Sequence, residues 1–257
     1  RKMHGAGNDF VVIDARDGRP PLAPDLARAL ADRRRGVGCD QVVEILPDAG
    51  AEARLLFRNP DGAEAGACGN ATRCVADLLL RESGARALTL ATRRGRLAAR
   101  RRADGRVEVD MGAPIRDWRA IPLSREVDVD APPVDAPHPA AAVSMGNPHC
   151  VLEVEDAEAA PVETLGPRLE RDPLFPEGAN VEFAEVLAPD RVRLRVWERG
   201  TGVTPACGSG ACAALVALHR AGRIGPRAVL VMDGGALEAE LRAGGVTLTG
   251  PVAEVFA

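Results

Sequence analysis

Apolar positions in the first half of the chain gather into runs of five or six residues, "FVVID" (10–14), "QVVEIL" (41–46) and "ARLLF" (53–57). Runs of that length predict strands. Between the first two, "PDLARALADRR" (24–34) spaces its apolar residues as a helix does. A second helix is predicted over "GNATRCVADLLLRES" (69–83), stopped by Gly84, since glycine takes the left-handed conformation at a helix end without steric cost. Strands follow at "ALTLA" (87–91), "RLAAR" (96–100) and "RVEVDM" (106–111).

The second half repeats the order. It reads "CVLEV" (150–154), a helix near "PVETLGPRLE" (161–170), strands "NVEFAEV" (180–186) and "RVRLRVW" (191–197), and the helix "GSGACAALVALHRAG" (208–222) closed by Gly222. Strands "AVLVM" (228–232), "ALEAEL" (236–241) and "VTLT" (246–249) complete it. Cys68 and Cys207, each in Ala-Cys-Gly at a helix start, are 139 positions apart, and the same offset carries Asn8 onto Asn147, Gln41 onto Asn180 and Asn59 onto Glu198. The pattern predicts an α+β chain of two pseudo-symmetric domains. Residues 1–113 form the first, with the terminal strand 250–257 returning to it; residues 114–249 form the second. The helices behind the two cysteines are apolar on most faces, as expected of a helix wrapped by a curved sheet. Residues 113–139 hold six prolines and predict an extended connection in preference to a packed element.

Charge and composition narrow the function. With 33 basic and 37 acidic residues the net charge is −4, which speaks against a nucleic-acid partner and for a small polar ligand. No apolar run is long enough to span a bilayer, and "RKMHGAGNDF" lacks a signal-peptide core, so the expectation is a soluble, cytoplasmic protein. Six cysteines without a CxxC pair predict neither a disulfide framework nor a metal site. Cys39, Cys74, Cys150 and Cys212 read as small core residues. Lys2 is the single lysine, which disfavours a pyridoxal phosphate Schiff base, and no GxGxxG or Walker pattern occurs; no cofactor is expected.

Cys68 and Cys207 are different. A helix N-terminus stabilises a thiolate and binds anions, so each should have a lowered pKa, and Gly69 and Gly208 leave room for a carboxylate to reach the first-turn amides. If the two domains face one another across a cleft, the thiols would lie on opposite sides of one carbon, a geometry suited to stereoinversion by paired acid and base. Two other classes fit the same residues less well: a cysteine hydrolase with His149 as its base, and an amino-acid binding module without catalysis.

At "KMHGAGNDF", "NPDGAEAGACGNATRC", "GNPHCV" and "ERGTGVTPACGSGACA" the sequence resembles the diaminopimelate epimerase family, along nearly the whole chain. The resemblance implies two β-barrel-like sheets, each around a central helix, and cofactor-independent interconversion of LL- and meso-diaminopimelate. It implies Cys68 and Cys207 as the acid/base pair, with the amides of Gly69, Asn70, Gly208 and Ser209 on the reacting carboxylate. Asn8, Asn59, Asn147, Asn180 and Arg199 would line the pocket for the distal group, Glu198 would lie near an ammonium, and Gln41 and His149 would sit close by. His149 reads equally as a supporting group and as a structural histidine. A homodimer is also favoured. The sequence departs from the family pattern at Ala63, where serine is usual, and at Ala71, where glycine is usual. A proline-type racemase of the same architecture is the nearest rival; those relatives usually show histidine after Cys-Gly, where Asn70 stands here.

Overall fold

The computed structural model describes residues 1–66 and 68–257. In chain order the first elements are β1 (Lys2–Gly5), β2 (Asn8–Asp14), α1 (Pro24–Ala31), β3 (Gln41–Leu46), β4 (Ala53–Arg58) and β5 (Glu64–Ala65). Then come α2 (Gly69–Ser83), β6 (Ala87–Thr92), β7 (Gly95–Arg101) and β8 (Val107–Asp110). The series restarts with β9 (Ala140–Ser144), β10 (Pro148–Glu153), α3 (Val162–Glu170), β11 (Asn180–Ala188), β12 (Arg191–Glu198) and β13 (Gly202–Val203). It ends with α4 (Gly208–Arg220), β14 (Arg227–Met232), β15 (Gly235–Arg242), β16 (Gly245–Gly250) and β17 (Ala253–Phe256). The chain divides into two compact units, residues 1–110 with 249–257 and residues 111–248.

In the first unit β2 and β3 run parallel, Phe10 opposite Gln41, and so do β4 and β6, Ala53 opposite Leu90. Parallel neighbours cannot be joined by a tight turn, so each pair needs a crossover. Helices α1 and α2 are those crossovers. Antiparallel pairs fill the remaining positions: β17 with β1, β1 with β2, β3 with β4, and β6 with β7 and β7 with β8.

The second unit uses the same plan at the level of register. His149 lies opposite Asn180, which is the Phe10–Gln41 pairing moved by 139, and Val181 lies opposite Trp197, which is Val42 opposite Arg58 moved likewise. Beyond the central helices the offset becomes 140: Ala87 with Arg100 corresponds to Arg227 with Glu240. One residue is therefore gained between the helix start and the strand that follows it. Because register fixes which face each side chain occupies, residues at equivalent positions point alike in each unit.

Helix α2 packs on β1, β2 and β6 to β8, and α4 on β9 to β11, β14 and β15. Encasement explains their composition. From Ala211 to Leu218 every α4 residue is buried, and small alanines let the backbone approach the strands. Leu215, fully buried, contributes about 1.5–3 kcal/mol by leaving water. Gly84 ends α2 at φ 69, and Gly222, at φ 72, follows the Ala221 cap of α4. Helix α1 stops at Ala31, short of the predicted 34, because the Asp32 carboxylate accepts the amides of Arg34 and Arg35 and so competes with the next helical turn.

One expectation needs correcting. Residues 113–139 contain no helix or strand, as the prolines predict, yet the segment is packed: Ile121, Leu123 and Val129 are buried in the core of the second unit with Phe175, Val181 and Phe183. Proline removes ladder donors without preventing side-chain burial. Strands β1 and β9 were not expected; "KMHG" is too short to show alternation, and the alanines of "AAAVS" carry little strand preference.

Gly166 in α3 lies under Trp197 of β12, where an added Cβ would stand 2.7 Å from both Cβ and Cγ of the indole side chain. Trp197 cannot easily yield, since its Nε1 donates to Glu170 Oε2 at 2.6 Å. In an ordinary helix interior glycine to alanine is stabilising. Here Gly166→Ala should lower stability by ~1–3 kcal/mol through overpacking, read as a lower urea midpoint; an unchanged or higher midpoint contradicts the contact.

Candidate active site

The site residues fall into two sets, one in each unit. In the first, Cys68 is the N-cap of α2, with extended backbone at φ −147 and ψ 110. Its sulfur takes the acceptor position that serine or aspartate usually fills: Ala71 N donates to Sγ at 3.5 Å. The Thr72 amide and hydroxyl both donate to the Cys68 carbonyl, at 2.9 and 2.8 Å, and fix the entry to the helix. Asn8, at the start of β2, presents Oδ1 to the thiol at 3.8 Å and accepts from Asn70 Nδ2 at 3.1 Å.

Asn8 is itself held. Its Nδ2 donates to Asp40 at 2.7 Å, and Asp40 also accepts the Asp9 amide at 3.1 Å. Asp9 is bound by Lys2 at 2.6 Å and by Arg33 at 2.7 Å. Burial would raise the Asp9 pKa, but the hydrogen bonds and charges of Arg33 and Lys2 outweigh it and hold the carboxyl well below the usual range. Gln41, at the start of β3, donates from Nε2 to Asn59 Oδ1 at 2.9 Å, which leaves Gln41 Oε1 buried without a protein partner among the described residues. Asn59 opens a turn closed by the Asn59 amide on Ala63 O and by the Ala63 amide on Asp61 Oδ1. The turn thus stands without the hydroxyl that Ala63 lacks. At the other departure Ala71 is fully buried and supplies the capping amide, which any residue but proline can do.

In the second unit Cys207 caps α4 in the same way, with φ −121, ψ 113 and Gly210 N donating to Sγ at 3.4 Å. Ser209 Oγ lies 3.5 Å from the sulfur and accepts from Asn147 Nδ2 at 3.2 Å. Asn147 Oδ1 faces His149 Nε2 at 3.1 Å. Asn180 donates to Pro148 O at 2.9 Å and accepts the Arg199 amide at 3.0 Å, tying the starts of β10 and β11 to the end of β12. Glu198 Oε1 accepts from Thr204 Oγ1 at 2.7 Å. Arg199 is exposed, and its Nη1 donates to Glu177 O at 2.9 Å. Gly69 and Gly208 are the first helical residues behind the two caps, where backbone amides have no acceptor within the helix.

The expectation of a lowered pKa fails at Cys207. Burial pushes the thiol well above its ordinary value, and Glu198 and Glu182 push the same way, while the hydrogen bonds from Ser209 and Gly210 pull down without prevailing. The helix terminus is real, but removing sulfur from water costs the thiolate more than one turn of amides returns. Cys39, Cys74, Cys150 and Cys212 are all buried, and burial raises Cys74 to about 12; these are core thiols. Among the described residues no cluster of three or more metal-ligating side chains occurs and no helix is long and apolar enough to cross a membrane.

Sequence reasoning missed Glu182 and Asp40. Glu182 is fully buried on β11 with Oε1 2.7 Å from His149 Nδ1. Its signal was an acid inside the otherwise apolar "NVEFA". Asp40 precedes β3 and serves as the backing of Asn8; nothing in its spacing marked it.

A thiol-capped helix in each of two units sharing one strand plan defines a protein of the epimerase and racemase fold. A predicted epimerase from Pseudomonas aeruginosa superposes with a TM-score of 0.70 at 22% identity, covering 100% of this chain and 98% of that one. A hydroxyproline epimerase from Agrobacterium vitis does so at 0.68 and 20% identity, over 99% and 90%. Within that fold the assignment is narrower: the family model described as diaminopimelate epimerase matches residues 1–116 and 141–255, and the chain belongs to the diaminopimelate epimerase family. The diaminopimelate epimerase of Acidiphilium cryptum is 55% identical over 261 residues, covering 99% of this chain and 93% of its own length.

The Asp9 cluster gives a pH prediction. Its carboxyl is depressed in the folded state, so its contribution is complete above the unfolded value near pH 4 and is lost as pH falls below that. Asp9→Asn should cost ~1–3 kcal/mol at neutral pH and should flatten the acid limb of a denaturation series; an acid limb identical to that of the parent would exclude the linkage.

Proposed function

We propose that this chain interconverts LL- and meso-diaminopimelate without a cofactor, with Cys68 and Cys207 as the two acid/base groups. The observation that carries the reading is the duplicated cap: each unit begins its central helix on a sulfur that accepts the third amide of that helix. The reading requires each unit to offer its thiol to one face of the same α-carbon. One sulfur, as thiolate, takes the α-proton and leaves a carbanion; the other, as thiol, returns a proton to the opposite face. The high pKa of Cys207 suits it to hold the proton that is delivered. Each well-placed acid or base is worth about 10²–10⁴ in rate, and amides at the two helix starts would stabilise the growing charge on the carboxylate.

The remaining contacts support the same reading. Gln41 Oε1, buried and without a protein partner among the described residues, suits an ammonium donor. Lys2, the single lysine, is buried with its ammonium on Asp9 and on the Gly38 carbonyl, which leaves it poorly placed for Schiff-base chemistry. Both ring nitrogens of His149 are engaged by Glu182 and Asn147, which disfavours a hydrolase with this histidine as base.

In D₂O the purified protein should wash deuterium into the α-position of both stereoisomers with no added cofactor, and Cys68→Ala or Cys207→Ala should each reduce epimerisation by at least about 10²-fold. Full activity in either variant overturns the two-base assignment.

A further inference from the structure

At the buried end of the Cys207 network His149 faces more acceptors than a neutral imidazole can serve. Glu182 and His149 both have fully buried side chains, 2.7 Å apart at Oε1 and Nδ1. The other ring nitrogen, Nε2, faces Asn147 Oδ1 at 3.1 Å. An amide oxygen only accepts, and so does an ionised carboxylate, while a neutral imidazole has a single N–H. The ring therefore meets an acceptor on each side, and one further proton belongs on the Nδ1–Oε1 contact. Glu182 Oε2 is buried without a partner among the described residues, which leaves the imidazole at Oε1 as the group that can offset the carboxylate.

From this pair a directed chain leads to the sulfur. With Oδ1 facing the ring, His149 Nε2 donates to Asn147 and Asn147 Nδ2 donates to Ser209 Oγ at 3.2 Å; the serine keeps its own hydrogen and lies 3.5 Å from Cys207 Sγ. The carboxylate also presses on the turn that carries the thiol. A Cβ on Gly210 would stand 2.7 Å from Glu182 Oε1 and 3.3 Å from Cys207 Sγ. Among the described residues Glu198 also acts on Cys207, and Asp172 on the neighbouring Cys150.

We propose that Glu182 is a positioning residue for Cys207: it shares one buried proton with His149, and thereby holds the chain through Asn147 and Ser209 in the single direction that aims a hydroxyl hydrogen at the sulfur. When that sulfur gives up its proton, the donor is already in place and the chain does not have to reorganise. The assignment rests on Cys207 being one of the two reacting thiols.

Histidine-selective ¹⁵N labelling tests the proton, since the chain has only four histidines. His149 should show N–H signals on both ring nitrogens, with the Nδ1 proton far downfield. In Glu182→Gln one of these should vanish, and α-deuterium exchange should lose about tenfold or more in kcat with KM held within about twofold, the signature of an interaction used in the transition state. Ser209→Ala cuts the last link and should lower kcat similarly while both ring signals of His149 persist. A single ring N–H in the parent protein, retention of both in Glu182→Gln, or a kcat within about twofold of the parent in either variant overturns the proposal. The ring signals need no substrate, so a parent protein that shows both yet exchanges no deuterium removes the proposed function, and the positioning role with it, while leaving the shared proton established.

Discussion

In each unit a backbone N–H from the third helical residue points at a cysteine sulfur, 3.5 Å away at Cys68 and 3.4 Å at Cys207. Sulfur accepts weakly, yet this bond sets the position of the group to which everything else is fitted. It fixes where the thiol stands relative to the first-turn amides, and it obliges the residue before the helix to be extended. The strand plan carries both caps. Parallel strands need a crossover, and α2 and α4 are the crossovers from β4 to β6 and from β12 to β14.

Around the caps the two units spend different polar resources on the same task. Asn8 and Asn147 hold equivalent positions 139 residues apart, each within reach of a cap or its neighbour. Behind Asn8 stands a partly exposed ionic cluster of Asp40, Asp9, Lys2 and Arg33. Behind Asn147 stands a fully buried acid and imidazole. The two units match in register and differ in supporting chemistry, since a supporting group needs only to orient an amide.

Much of this arrangement could be read from the residues. The span of α2 is visible in the chain as Gly69–Ser83, since a small polar start, an apolar run and a terminal glycine are local signals. The cysteine pair is visible because repeat, glycine and helix start coincide. What escaped is what depends on distant partners. Ile121, Leu123 and Val129 lie in a proline-rich stretch whose burial is decided by strands that follow later in the chain. Glu182 appears as an acid out of place until His149 is set beside it by the parallel pairing of β10 and β11. The ionisation of Cys207 escaped for the same reason: the helix terminus is written in the sequence, whereas the loss of solvent is not.

The use of a thiol as a helix cap separates what folding can protect from what chemistry needs. Oxygen accepts an amide hydrogen at least as well as sulfur does, and serine is among the preferred cap residues. A Cys-to-Ser exchange at either helix would thus keep the cap, and with it the start of the helix, in place. Nothing in the capping bond itself calls for sulfur at positions 68 and 207, so the fold alone does not account for the two thiols.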